Sequence, residues 1–178
     1  PNHHLQKIGI VNQTTMLAEE TKDITRFFEN IMKIKYGEEY YKAHIANTRD
    51  TLCYATNENQ ISTHEISKLN ADLSIIVGGY NSSNTSQLVK ICEKRFPTFF
   101  ISSEEKIISN KEIIHFNIDQ KKEIITENYL PKNKKINIII ASGASCPDSI
   151  LERVLEKICS FYNEEINKKS IIESFIKK

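Results

Sequence analysis

Short apolar blocks alternate with amphipathic stretches along this chain. The runs Leu73 to Val77, Thr98 to Ile101 and 136 to 140 are each four or five residues long; the first lies between Asp72 and Gly78, the second between Pro97 and Ser102, and the third leads into Ala141-Ser142-Gly143. Short apolar runs with such flanks predict buried strands. Between them the spacing changes to that of helices: Leu17 to Ile34 with Ile24, Phe27, Phe28 and Ile31, then 57 to 69, 85 to 94, and 147 to 160 with Ile150, Leu151, Val154, Leu155 and Ile158. Strands separated by single helices pair in parallel through right-handed crossovers, so the expected fold is α/β with three αβα layers and mostly parallel sheets. Lys7 to Val11 reads as a further strand. Residues 35 to 51 have no clear period and read as a junction between lobes. Residues 103 to 130 have a weaker pattern, within which Lys106 to Ile125 mixes isoleucine with charge in a way that fits a short helix, an edge strand or both.

Composition narrows the picture modestly. With 178 residues, 39% of them hydrophobic, and a net charge of +1, the chain suits one core or two small ones. Near-neutral charge gives no electrostatic footprint for duplex nucleic acid. No apolar stretch is long enough to span a bilayer, and the first residues lack the layout of a secretory signal. The chain begins at Pro1 and enters a predicted strand almost at once, which suggests a piece of a larger protein.

The four cysteines, Cys53, Cys92, Cys146 and Cys159, form no Cys-x-x-Cys pair and no disulfide framework. Cys92 and Cys159 fall within apolar helical patterns and read as core thiols. Cys53 precedes a helix, where the dipole lowers a thiol pKa and favours metal binding or nucleophilic chemistry. From spacing alone, simple packing is the commoner role for such a cysteine.

Three predicted strands run into loops rich in small hydroxyl and amide residues. These are Asn12-Gln13-Thr14-Thr15, Gly78-Gly79 with Asn81-Ser82-Ser83-Asn84, and Ala141-Ser142-Gly143-Ala144-Ser145 ahead of Pro147. A helix start offers unpartnered N–H groups and the positive end of the dipole, so such loops suit an anion such as phosphate. Serine and asparagine also cap helices for their own sake, at about 1 kcal/mol each. One cap per helix suffices, so three such residues in a row favour a ligand. Ser145 is equally compatible with a close-packed small-residue turn. Neither G-x-x-x-x-G-K-[ST] nor G-x-G-x-x-G is present.

These loops resemble those of the 4-hydroxy-3-methylbut-2-enyl diphosphate reductases, the LytB family. The matching motifs are Gln13-Thr14-Thr15, Cys53-Tyr54-Ala55-Thr56 with Gln60, Asn81-Ser82-Ser83-Asn84, and Ser142-Gly143-Ala144-Ser145 with Pro147-Asp148. They occur in the family's order and extend from about Lys7 to Cys159. Tyr36-Gly37-Glu38 and His44 are similar to the plant and cyanobacterial branch.

The resemblance implies three α/β lobes in a trefoil around a central 4Fe-4S cluster. Residues 1–49 would complete the second lobe, 50–160 would form the third, and 161–178 would be a helical tail. Cys53 would be the third cluster ligand, with the first two absent from this chain. Ser82, Ser83, Asn84, Ser145 and Thr14 would bind the substrate, with Thr14 also catalytic near its hydroxymethyl end. The implied reaction is reductive dehydroxylation of the substrate to isopentenyl and dimethylallyl diphosphate, the last step of the non-mevalonate (MEP) route to isoprenoids. Ferredoxin would donate the electrons, and the location would be a plastid-type organelle in a eukaryote or otherwise the cytoplasm. Cys146 departs from the family pattern and is expected to pack. The alternatives are a phosphate- or diphosphate-binding α/β module without redox activity and a thiol enzyme using Cys53, for which no partnering histidine motif is evident.

Overall fold

The computed structural model describes residues 6–13, 15–46, 54–131 and 136–162. The chain divides into two compact units, residues 1–62 and 63–178.

In the first unit the long amphipathic pattern forms α1, Ala18–Tyr36. It stops at Gly37, whose φ of 80° suits a residue without a Cβ and whose N–H donates to the Lys33 carbonyl (2.8 Å). A single turn, Tyr41–His44, follows. Tyr36 stacks on the His44 ring at 3.5 Å between centroids, and Lys33 lies over Tyr41. The strand expected over Lys7 to Val11 is reduced to one bridge. Ile8 donates to the His44 carbonyl and accepts from Ala46 N–H, and among the described residues the pairing goes no further, so apolar sequence alone does not make a ladder.

Helix α2, Tyr54–Ser67, contains the boundary between the units. Its buried positions are polar: Thr56, Gln60, Thr63 and Ser67 recur at helical spacing, while Ile61 and Leu69 beyond its end are exposed. Gln60 Nε2 donates to the Met16 carbonyl (2.9 Å).

The second unit holds the sheet: β1 (Leu73–Val77), α3 (Ser83–Glu93), β2 (Thr98–Ile101), β3 (Glu112–Asn117), β4 (Lys122–Glu127), β5 (Ile138–Ser142) and α4 (Asp148–Ser160). The order β2-β1-β5 is parallel throughout, with Val77 level with Ile101 on one side and Ser142 on the other. Central β1 is buried along its whole length, which explains its continuous apolar reading. Leu73, Ile75 and Val77 join Phe99, Ile101 and the α4 residues Val154 and Ile158 in one core. Alternate residues serve the other face, where Ser74 meets Cys92 of α3. Each fully buried aliphatic or aromatic side chain contributes about 1.5–3 kcal/mol, so the loops at the end of this sheet stand on a rigid base.

The ambiguous stretch 103–130 resolves into the antiparallel hairpin β3–β4, with Ile113 opposite Thr126 and Phe116 opposite Glu123. Ile107 and Ile113 enter the core, whereas β4 keeps one edge of its side chains in solvent. The tail expected from 161 onward lies outside the described residues after Tyr162.

Candidate diphosphate site

Two loops leave the carboxyl ends of the neighbouring strands β1 and β5, where open parallel sheets bind ligands. The backbone ties them together beyond the strands. Gly78 N–H donates to the Ile101 carbonyl and Gly143 N–H donates to the Val77 carbonyl, both at 3.0 Å.

Ser82 is the N-cap of α3. Its Oγ accepts from both the N–H (3.2 Å) and the hydroxyl (2.9 Å) of Thr85, while its own N–H donates to the Gly79 carbonyl (2.9 Å). Thr85 is fully buried, and both glycines press on it. A Cβ at Gly78 would stand 2.7 Å from Thr85 Oγ1, and one at Gly143 would collide with the same oxygen. These glycines are therefore required for close approach, since neither has a positive φ.

Asn84 is only 5% exposed, yet neither amide atom of its side chain has a hydrogen-bond partner. An unsatisfied buried polar group costs about 1–3 kcal/mol, and native proteins retain one where a ligand completes it. Ser83 is exposed on the first turn. The segments 78–86 and 142–147 contain no charged residue, so the helix dipole and neutral donors supply the field for an anion.

Tyr80 anchors the first loop from the side. Its ring stacks on Phe116 at 4.5 Å and meets Phe100 edge-on, and its hydroxyl donates to Glu123 (2.7 Å). Burial is the main reason its pKa is pushed up to about 12, with Glu123 adding to the rise and Ser102 opposing it. The phenol therefore stays a donor at neutral pH. Lys106 pairs with the same carboxylate at 2.6 Å.

Ser145 lies exposed in the turn after β5, which closes through Cys146 N–H to the Gly143 carbonyl (2.8 Å). Helix α4 begins with Pro147 as a cap that offers no side-chain bond. Burial, and secondarily Asp148, pushes the Cys146 thiol up, away from thiolate character. Cys92 is buried under α3 and Cys159 is half-buried on α4. Thr14 and Cys53 lie outside the described residues. Their neighbours Met16, whose N–H donates to the Gln13 carbonyl, and Gln60 are held by the bonds within the first unit.

The structure thus brings Ser82, Ser83 and Asn84 to one helix start, beside the loop that carries Ser145. Thr85 and Tyr80 were not singled out by the sequence reading. Gly-Gly ahead of Asn81 was the available sign that something must pack closely there.

The LytB protein family model matches residues 2–159. The chain belongs to the LytB family. A 4-hydroxy-3-methylbut-2-enyl diphosphate reductase from Microcystis aeruginosa is 42% identical over 162 residues, which cover 90% of this chain and 40% of the relative. The namesake from a Nostoc species is 42% identical over 159 residues, covering 89% and 39%. The chain therefore spans about two-fifths of the curated relatives it matches. A solved diphosphate reductase from Plasmodium falciparum has the same fold, with a TM-score of 0.60 and 21% identity over 96% of this chain and 49% of that one.

The iron–sulfur cluster of LytB proteins requires several thiolates. Among the described residues no group of three or more His, Cys, Asp or Glu could hold a metal ion. The cysteines among the described residues, Cys92, Cys146 and Cys159, form no disulfide and belong to no such group, so the described residues do not by themselves fit a cluster. Among the described residues no helix is long and apolar enough to cross a membrane.

Proposed function

We propose that this chain is the diphosphate-binding part of a 4-hydroxy-3-methylbut-2-enyl diphosphate reductase. The observation that carries this reading is Asn84, a buried amide with no partner at the start of α3, two residues after the N-cap Ser82. Its Nδ2 carries N–H donors that the acceptor oxygens of an anion would satisfy, while Oδ1 is an acceptor and needs a donor from the ligand or water. Ser82, Ser83 and Ser145 are further hydroxyl donors around it, and charge neutralisation falls to the helix dipole. Thr14 is assigned to the hydroxymethyl end of the substrate.

Overall, the reductase consumes two electrons and two protons, breaks the allylic C–O bond and releases water with isopentenyl or dimethylallyl diphosphate. The cluster supplies the redox chemistry when bound, and Cys53 is the residue here that matches one of its ligands. Ferredoxin is the proposed donor. Cyanobacterial relatives support a plastid or cytoplasmic setting.

The test is anaerobic iron–sulfur reconstitution of the protein at its natural full length, wild type beside Cys53→Ser, read by absorbance, Mössbauer spectroscopy and substrate reduction. Loss of cluster and turnover in the variant supports the reductase. A wild type with no cluster that still binds the diphosphate would leave a diphosphate-binding module without redox activity.

A further inference from the structure

We infer that Thr85 is a positioning residue that makes Ser82 a donor-only contact for the bound anion. This inference rests on the diphosphate reading above. In a capping box the side chain three residues into the helix reaches back to the backbone N–H of the cap residue. Here that N–H is already spent on the Gly79 carbonyl (2.9 Å). The Thr85 hydroxyl goes instead to Ser82 Oγ (2.9 Å), which also accepts the Thr85 N–H (3.2 Å).

A serine hydroxyl has two acceptor sites and one proton. Thr85 occupies both acceptor sites, so the remaining capacity of Ser82 is to donate. Such a hydroxyl cannot turn its lone pairs toward an incoming phosphate oxygen, and two donors on its oxygen polarise its proton. Thr85 in turn is held in close packing: it is fully buried, and its hydroxyl lies where a Cβ at Gly78 or Gly143 would meet it. The same residue thereby sets the spacing of the two anion loops.

Two variants separate the hydroxyl from the packing. Thr85→Val keeps the shape and removes the donor, and Thr85→Ser keeps the donor and removes a methyl group. Titration with inorganic pyrophosphate by calorimetry should show Thr85→Val binding roughly ten-fold more weakly, the scale of one hydrogen bond to a charged group, with Thr85→Ser close to wild type. A purely structural role would make the serine variant, which leaves a cavity, the worse of the two.

The second measurement needs no ligand. Side-chain couplings by NMR should report one χ1 rotamer for Ser82 in wild type and Thr85→Ser, and averaging in Thr85→Val. Unchanged pyrophosphate affinity, or an unaltered Ser82 rotamer, in Thr85→Val overturns the inference while leaving the diphosphate reading in place. Absence of pyrophosphate binding by wild type counts against the diphosphate reading, and the rotamer comparison then decides the role of Thr85 alone.

Discussion

The loop between β1 and α3 and the loop between β5 and α4 begin level in the sheet and end in helix starts, but they are built oppositely. In the first, Thr85 is fully buried, Ser82 caps the helix through two bonds, and Tyr80 is wedged between aromatic rings. In the second, Ala144 and Ser145 face solvent and Pro147 caps without a side-chain bond. The first loop has already buried Asn84 and Thr85 before a ligand arrives, so it contributes preorganisation. The second exchanges water for ligand at the exposed Ser145, so its contact is made only on binding. Under the proposed function, a diphosphate held by both loops would take geometry from one and accommodation from the other.

The close seam between the loops is where this comparison breaks most readily. Gly143→Ala places a Cβ into Thr85 Oγ1, and overpacking of this kind costs about 1–3 kcal/mol. A chain of this size loses about 2–4 °C per kcal/mol, so thermal unfolding should shift down by several degrees. Combining it with Thr85→Ala should recover most of the loss. An unchanged midpoint in the single variant would mean that the seam is loose and the loops are independent.

Asn84 tests the idea that the first loop gives up stability to be ready. Replacing it by Leu removes two unpaired polar atoms from a buried position, so the free protein should be as stable as wild type or gain up to about 1 kcal/mol. Pyrophosphate affinity should nevertheless fall by about ten-fold or more. Stability and affinity moving down together would identify Asn84 as an ordinary packing residue.

What could be read from residues alone follows the same division. Strands β1 and β2 and helices α3 and α4 were legible because their partners lie within the chain, so apolar spacing and burial agree. The loop motifs were legible as hydroxyl-rich helix starts, but the clamp on Thr85 depends on Gly143, which is 58 residues away from Thr85 in sequence and has no local signature. The segment Lys7 to Val11 has strand composition and only one bridge, Ile8 to Ile45. In α1, Ile24, Phe27, Ile31 and Ile34 form a correct amphipathic stripe that is exposed, so periodicity located the helix and not its partner. The hairpin β3–β4 was hidden because β4 groups Ile124, Ile125 and Thr126 between Lys122-Glu123 and Glu127 without period-two alternation, a mixture that helix and edge strand share.

Tyr80 links the buried loop to that hairpin, and a smaller effect is expected there. Tyr80→Phe keeps both ring contacts and removes the bond to Glu123, which should cost about 0.5–1.5 kcal/mol in denaturant unfolding. Lys106 first, and Tyr80 second, hold the Glu123 carboxyl below the usual glutamate range. A depressed folded-state value contributes stability above the unfolded value and loses it as pH falls through the folded one. Wild type should therefore lose stability more steeply than Glu123→Gln as the pH drops below the ordinary glutamate range. Parallel acid profiles would separate the hairpin from the loop.

The smallest expected change in stability sharpens the comparison from the open side. Ser145 is exposed and no hydrogen bond holds its hydroxyl among the described residues, so Ser145→Ala should leave unfolding within about 0.5 kcal/mol of wild type. Its donor competes with water until the anion arrives, and a hydrogen bond to a charged group is worth about 1.5–3 kcal/mol, so pyrophosphate affinity should fall about ten-fold or more. That loss should appear mainly in the dissociation rate, because the preformed first loop still captures the ligand. If Ser145→Ala instead slowed association and destabilised the fold, the second loop would be as preorganised as the first, and the division of labour between them would fail.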